Sequence, residues 1–283
     1  MRRLRIYALE GVMLLLLVIY LYPFVIVLIN SAKDAFSVTQ YPMALPENWA
    51  QIFVNMESIW TSRNIRYSSS FFSSVLITGL SLVAVTIFPA MAGWVLVRTK
   101  TRTSQVIFLL FVAAMVVPFQ IVMFPLISWF RTVSQLIGVR LLRTYLGIVL
   151  AYLGFGLSLS VFMYHGFIKS IPFELEEAAI IDGSHLPGVF FRIIFPLLTP
   201  VHATIGILHG IWIWNDFLLP LLVLGKGNRI QTLPLAVANF AGAYVKQWDL
   251  ILTAILMAMI PVIIFFFIAQ KKIIKGMVAG SIK

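Results

Sequence analysis

Three ionisable side chains recur at a fixed interval inside an apolar stretch of the sequence. His202, His209 and Asp216 stand seven residues apart. Seven residues make almost two turns of an α-helix, so the three side chains share one helix face. Ionisable groups inside a membrane helix are costly and face a partner, a wet pathway or a proton relay. The spacing therefore leaves three roles open: lining a path for a polar substrate, hydrogen bonding to a neighbouring helix, or transferring protons.

The neighbours of these residues do not decide between the roles. Gly206-x-x-x-Gly210 lies on the same stretch and is a close-packing pattern, which favours bonding to an adjacent helix. Trp214 and Asn215 adjoin Asp216 near the outer end of the stretch. The spacing makes His209 and Asp216 candidate path residues.

A second polar feature is the segment Glu174–Pro196, which reads ELEEAAIIDGSHLPGVFFRIIFP and carries four acids. The pattern predicts two short helices. Ser170 is a candidate cap for the first helix and Gly183 is its predicted end. Ser184 is a candidate cap for the second, with Pro187 in its first turn. One face of the first helix carries small or apolar residues and an acid: Leu175, Ala178, Ala179 and Asp182.

The composition requires a membrane to hold these features. The chain of 283 residues is 61% hydrophobic and 11% charged, whereas soluble domains contain about 25% charged residues. Each apolar run is long enough for a helix to cross a bilayer, and an open sheet would leave backbone groups unpaired in lipid. The sequence predicts one all-α integral membrane domain, residues 1–283, with six transmembrane helices. The approximate spans are 11–32, 67–97, 103–130, 144–168, 193–225 and 250–270.

Prolines and basic residues add to this outline. Proline within or near the spans predicts kinks at Pro89, Pro118, Pro125, Pro220 and Pro261. Lys and Arg close to the helix ends favour, by a small margin, both termini and the segment 170–196 in the cytoplasm. Three arginines between the third and fourth spans oppose that orientation, and lipid contact is the one explanation the sequence offers for them: Arg131, Arg140 and Arg143.

The motifs of several function classes are missing from the sequence. The nearest approach to a nucleotide-binding loop, Gly225-Lys226-Gly227, lacks the first glycine and the following Ser or Thr. Paired carboxylates, a metal-ligand cluster and an activated nucleophile are not recognisable, so we expect neither an enzyme nor a cofactor or metal site. The basic clusters lie beside apolar spans, which indicates lipid headgroups rather than nucleic acid. If the chain carries a substrate across the membrane, the work must then come from a partner or an ion gradient.

The segment 170–196 also resembles a known motif. Glu177-Ala178-Ala179, three residues, Gly183, nine residues and Ile193-x-Phe195-Pro196 is similar to the EAA loop of ABC importer permeases, with Phe195 in place of the usual Leu. The resemblance implies a coupling loop between helices four and five that docks on an ATPase subunit. It implies that Glu177 meets a basic residue there and that Gly183 permits the bend. The ATPase-coupling residues are then Glu177, Ala178, Ala179, Asp182, Gly183 and Pro187.

Two further stretches resemble the carbohydrate permeases of this family. The run WNDFLLPLL would place Trp214, Asn215 and Asp216 near the sugar path, and Gln270–Lys283 is similar to the tail of maltose-type permeases. By this resemblance the chain is a permease subunit of a binding-protein-dependent sugar importer in the bacterial inner membrane. The implied partners are a second permease, two ATP-binding subunits that hold ATP and Mg²⁺, and an extracytoplasmic sugar-binding protein.

Two other function classes are compatible with the same residues. A secondary carrier could use His202, His209 and Asp216 for proton coupling, and a receptor or scaffold would show no substrate flux. The resemblance implies a sugar of di- or oligosaccharide size but does not identify it. Whether this chain or the second permease supplies the main binding site is also undecided.

Overall fold

The computed structural model describes the backbone of residues 2–243 and 247–281. Within these ranges all regular structure is helical and no strand occurs. The elements are α1 (Arg2–Ser31), α2 (Ala35–Gln40), α3 (Gln51–Thr61), α4 (Tyr67–Arg98), α5 (Arg102–Ala114), α6 (Phe119–Ile137), α7 (Tyr145–Ile168), α8 (Glu174–Ile181), α9 (Leu186–Val189), a π-helical turn (Phe190–Ile194), α10 (Phe195–Leu197), α11 (Thr199–Asn215), α12 (Leu218–Val223), α13 (Leu233–Ala243) and α14 (Trp248–Ser281). The predicted all-α class is confirmed.

Four described helical segments are long and apolar enough to cross a membrane singly: Leu9–Ser31, Tyr67–Arg98, Tyr145–Ile168 and Trp248–Phe267. Two more crossings arise only if bent helix pairs each count as one span. These pairs are Arg102–Ala114 with Phe119–Ile137, and Leu186–Leu197 with Thr199–Asn215. The described chain therefore holds four to six candidate spans.

The predicted span 103–130 is not one continuous helix. The axes of α5 and α6 differ by 110°. Pro118 occupies the N-cap of α6, with ψ at 129°. Proline donates no backbone hydrogen bond and disfavours helical geometry in the residue before it, so α5 ends at Ala114. What the sequence predicts as a kink at Pro118 is a complete break.

The predicted span 193–225 is divided twice. α11 begins at Thr199 after a bend of 73°, with Pro200 in its first turn. It ends at Asn215 because Asp216 adopts an extended backbone, with φ −73° and ψ 130°. The Asp216 carboxylate then accepts a hydrogen bond from the Leu218 amide at 3.0 Å, at the start of α12. Asp216 is thus a helix boundary as well as a polar side chain.

The chain forms two compact units, one comprising Met1–Ser69 with Ala236–Ile263 and the other Ser70–Leu235 with Ile264–Lys283. The first unit is organised around Lys33, which is 5% exposed. Its ammonium group donates to Asn30 Oδ1 at 3.0 Å and to the Tyr41 carbonyl at 2.8 Å. Asn55 donates to the carbonyls of Ser31 and Lys33. Burial lowers the pKa of Lys33, and these bonds join the end of α1 to α3.

In the second unit, α4, α7 and α11 pack closely where glycines leave room. A Cβ at Gly93 on α4 would lie 3.0 Å from Tyr164 Cβ on α7. A Cβ at Gly156 on α7 would lie 2.9 Å from Val85 Cγ1 and 3.2 Å from His209 Cε1. Such contacts leave no space for a side chain, so the backbones of these helices approach each other. The three helices form the framework that positions the candidate site residues.

Candidate functional site

The segment 170–196 forms two short helices joined at Gly183, as the sequence predicts. Gly183 has φ +86°, a left-handed conformation that glycine adopts without a steric penalty. Its amide donates to the Ile180 carbonyl and the Ser184 amide donates to the Ala179 carbonyl. This pair of bonds is a Schellman motif and satisfies the end of α8. The bend is therefore fixed by the backbone.

The predicted caps of the two helices were wrong. The Ser170 hydroxyl donates back to the Phe167 carbonyl at 2.7 Å, and Phe173 occupies the N-cap of α8. His185 rather than Ser184 occupies the N-cap of α9, although Pro187 does lie in its first turn. Ser170 bonds to a free carbonyl at the end of α7 because that group is closer along the chain than the amides in the first turn of α8.

Most of the predicted coupling residues are exposed. Glu177, Ala178, Asp182, Gly183 and Pro187 present their side chains or backbone to the outside, whereas Ala179 is buried. The Glu177 carboxylate has no hydrogen-bonding or ionic partner among the residues that the structure describes.

Apolar side chains are exposed beside these polar ones. Leu175 is 44% exposed, Leu186 is 61% exposed and Ile181 is 84% exposed. The segment therefore exposes both apolar and acidic side chains.

Glu176, which the motif does not single out, is the acid that the structure buries. Its side chain is 3% exposed and forms an ion pair with Arg98 at 2.7 Å. The other carboxylate oxygen accepts from the Trp94 indole at 2.9 Å. Helical spacing was the available signal, because Glu176 and the buried Ala179 are three residues apart and share a face.

The face that carries His202, His209 and Asp216 lies against α7. His209 is hydrogen bonded to Ser160 at 2.9 Å, His202 to Tyr164 at 2.6 Å, and Asp216 accepts from Tyr152 at 3.1 Å. His202 Nε2 also contacts the Phe195 carbonyl at 2.8 Å, so this nitrogen donates and Nδ1 accepts from Tyr164. We name this series of three pairs the polar seam. Hydrogen bonding to a neighbouring helix is the role that the geometry supports for all three residues.

A cavity of about 1170 Å³ opens beside the polar seam. Its walls come from α6, α7 and α11, and His209 is the one seam residue that also lines it. Trp212 faces the cavity and packs edge-on against Tyr152 and Phe119, with ring centroids 5.5 Å and 6.3 Å away. Phe119 in turn packs 4.5 Å from Phe155. Gln120 and Ser158 add polar groups to this mostly aromatic and aliphatic lining.

The other candidate path residues are placed differently. Trp214 packs edge-on against Phe71, 6.0 Å between ring centroids. Asn215 is exposed and donates to the Ile211 carbonyl at 2.8 Å, within its own helix. His209 is the candidate path residue that lines the cavity. Trp212 also lines it but was not among the candidates. A path assignment for Trp214, Asn215 and Asp216 stays a prediction.

The basic connection between α6 and α7 is held by its backbone. Arg143 has φ +63°, its amide donates to the Val223 carbonyl at 2.9 Å, and its own carbonyl accepts from Asn228. Arg131, Arg140 and Arg143 all remain exposed. These contacts explain the shape of the connection but not the choice of arginine. The backbone of the C-terminal stretch Gln270–Lys283 is described as far as Ser281, where α14 ends, and the last two residues lie outside the described part of the chain.

Comparisons with known proteins identify the family of the chain. Residues 85–278 match the family of binding-protein-dependent transport system inner membrane components. The chain is 38% identical over 279 residues to the probable starch degradation products transport system permease protein AmyC of Thermoanaerobacterium thermosulfurigenes, covering 98% of this chain and 97% of that protein. It is 34% identical over 232 residues to the melibiose/raffinose/stachyose import permease protein MelC of Bacillus subtilis, covering 82% and 81%.

A solved structure shares the fold. A chain from the crystal structure of a bacterial ABC transporter involved in the import of the acidic polysaccharide alginate matches with a TM-score of 0.76. The match covers 96% of this chain and 98% of that chain at 24% identity. The predicted resemblance to ABC importer permeases is confirmed by the family match and by these relatives. The chain belongs to the family of binding-protein-dependent transport system inner membrane components.

Proposed function

We propose that this chain is one of two permease subunits of a sugar importer in a bacterial inner membrane, driven by ATP hydrolysis on separate subunits. The observation that carries the proposal is the exposed surface of the segment 170–196. It offers the unpaired acid Glu177 next to the apolar side chains of Leu175, Ile181 and Leu186. An ATP-binding subunit with a basic residue beside an apolar socket would satisfy both features.

The proposed assembly contains four further protein components. A second permease completes the path, two ATP-binding subunits bind ATP and Mg²⁺, and an extracytoplasmic binding protein delivers the sugar. The family is named for its dependence on such a binding protein, which supports this set of partners. Within the segment Leu9–Ser31, 6% of the residues in its 18-residue apolar window are buried in the chain, so its apolar surface is left for lipid and the second permease.

The cavity beside the polar seam is the proposed sugar path. Its volume of about 1170 Å³ is slightly larger than the usual ligand pocket of about 300–1,000 Å³, which leaves room for an oligosaccharide. Aromatic rings offer flat apolar surfaces to sugar rings, while His209, Gln120 and Ser158 offer hydrogen bonds to hydroxyl groups. The relatives named for starch degradation products and for melibiose, raffinose and stachyose support a di- or oligosaccharide as substrate.

In the proposed orientation both termini and the segment 170–196 lie in the cytoplasm. Each bent helix pair counts as one crossing, which gives six crossings. Helix α8 and the bend at Gly183 then lie between the fourth and the fifth, and the fifth begins at Leu186. Closure of the ATP-binding subunits pulls on the segment, the two permeases rock against each other, and the cavity changes its exposure. For this motion to drive transport, ATP binding must stabilise one of the two permease arrangements more than the other.

The proton-coupled carrier is the competing function. Its proposed relay residues are engaged in the polar seam, and neither of the two similar permeases carries the name of such a carrier. Hydrogen bonding across α7 and α11 accounts for the three ionisable side chains without proton transfer.

Uptake in proteoliposomes that contain the complete importer tests the function. We expect uptake of a labelled oligosaccharide to require ATP on the side that bears the segment 170–196 and the binding protein on the other side. An uncoupler should leave uptake unchanged while ATP is maintained. Uptake that collapses with the uncoupler at constant ATP would support the carrier and refute the ATP-driven proposal.

A further inference from the structure

Two neighbouring acids of the segment 170–196 differ in burial. Glu177 is exposed, whereas Glu176 is 3% exposed. Both carboxylate oxygens of Glu176 are engaged by α4: Oε1 accepts from Arg98 Nε at 2.7 Å and Oε2 accepts from Trp94 Nε1 at 2.9 Å. Trp94 and Arg98 are four residues apart, so they lie on one face of the last turns of α4.

Arg98 holds more than the carboxylate. A second guanidinium nitrogen donates to the Ile171 carbonyl at 3.1 Å. The guanidinium also lies 5.5 Å from the centre of the Phe173 ring. The Arg98 side chain of α4 therefore contacts the connection between α7 and α8 at Ile171 and Phe173, and α8 itself at Glu176.

The same part of α4 is packed tightly against the membrane helices. At Gly93, beside Trp94, a Cβ would lie 3.0 Å from Tyr164 Cβ and 3.2 Å from the His165 amide nitrogen. Tyr164 is hydrogen bonded to His202 of α11. A continuous series of contacts thus runs from α8 through α4 and α7 to α11.

A buried ion pair is a poor device for stability alone, because desolvation of both charges offsets most of their attraction. It is a good device for fixing one relative position, since two directional hydrogen bonds and a charge must be met together. The bond between α8 and α4 is of this kind.

We propose that Glu176 is a positioning residue that fastens α8 to the end of α4, so that displacement of α8 moves α4 and, through α7, the cavity helix α11. This inference rests on the proposed function. Glu177 faces the ATP-binding subunit and Glu176 faces α4 of the same chain. The two acids therefore connect the ATP-binding subunits to the helices that line the path. The contiguous series of contacts is the physical basis of this transmission.

The test compares Glu176→Gln with Glu177→Gln in the complete importer. Both variants remove one charge from adjacent positions and keep the side-chain shape. For Glu176→Gln we expect the ATP-binding subunits to remain bound, while the ATP hydrolysed per sugar transported rises by about tenfold or more. For Glu177→Gln we expect weaker association with the ATP-binding subunits instead.

A second variant removes a bond without removing a charge. Trp94→Phe deletes the hydrogen bond to Oε2 and keeps an aromatic ring, so it should raise the same ratio by a smaller factor. It also decides the matter if Glu176→Gln does not accumulate in the membrane. The proposal is overturned if Glu176→Gln leaves the ATP hydrolysed per sugar transported unchanged. If Glu176→Gln does not accumulate, an unchanged ratio in Trp94→Phe overturns it instead.

The outcomes also separate this inference from the function on which it rests. If Glu176→Gln releases the ATP-binding subunits, the residue shapes the docking surface and the positioning role is wrong. If the unmodified importer takes up sugar without ATP, the proposed function fails first. If Glu176→Gln and Trp94→Phe hydrolyse as much ATP per sugar as the unmodified importer, the positioning role of Glu176 is wrong and the proposed function stands.

Discussion

Replacing Glu177 with lysine should abolish most sugar uptake while the chain still inserts in the membrane. Glu177 is exposed and has no side-chain partner within the described parts of the chain, so its replacement breaks no contact there. At the proposed interface the new cation would face a basic residue. Two like charges about 4 Å apart repel by about 4 kcal/mol at the effective dielectric constant of a protein surface. We expect uptake to fall by about tenfold or more, the change that corresponds to about 1.4 kcal/mol.

The measurement is ATP-dependent uptake together with the amount of ATP-binding subunit that copurifies with the chain. Glu174→Lys is the matched control, because Glu174 is also exposed and lies on the same short helix. The control should keep most of its uptake, since the family motif begins at Glu177. Normal uptake and normal copurification in Glu177→Lys would argue strongly against docking through this helix.

The second large effect is expected from filling the cavity. Gly154 lies on α7, lines the cavity and would have no atom within 4 Å of an added Cβ. Gly154→Trp should therefore fit the isolated chain and obstruct the path. We expect sugar uptake to fall by about tenfold or more with little loss of the folded chain.

Gly166 provides a control on the same helix. It is exposed, has equally open surroundings and does not line the cavity. Gly166→Trp should leave most of the uptake intact, and both variants should be compared for protein level and bound ATP-binding subunit. Equal uptake by Gly154→Trp and the unmodified importer would remove this cavity from the path.

The sequence predicted the helical class and the bend at Gly183 because both depend on local patterns. Long charge-free runs require helices in lipid. A glycine at the end of a short helix favours the left-handed conformation found there. The break before Pro118 was foreseen only as a kink, since the angle of 110° depends on how α6 packs after the break.

The site was harder to predict because it depends on which helices meet. Heptad spacing correctly placed His202, His209 and Asp216 on one face, but it could not reveal that α7 supplies Ser160, Tyr164 and Tyr152 as partners. The motif directed attention to Glu177, and the buried role of Glu176 required the positions of Trp94 and Arg98, about eighty residues earlier in the sequence.

Chemical cross-linking from a single cysteine at position 182 tests the central claim most directly. The chain contains no cysteine, so Asp182→Cys introduces one thiol, on an exposed position of the segment 170–196. With a short thiol-to-amine reagent, the assembled importer should give a product with the mass of this chain plus one ATP-binding subunit. Leu45→Cys, at a position 73% exposed between α2 and α3, should give no such product. A cross-link to the ATP-binding subunit from position 45 and none from position 182 would contradict the account.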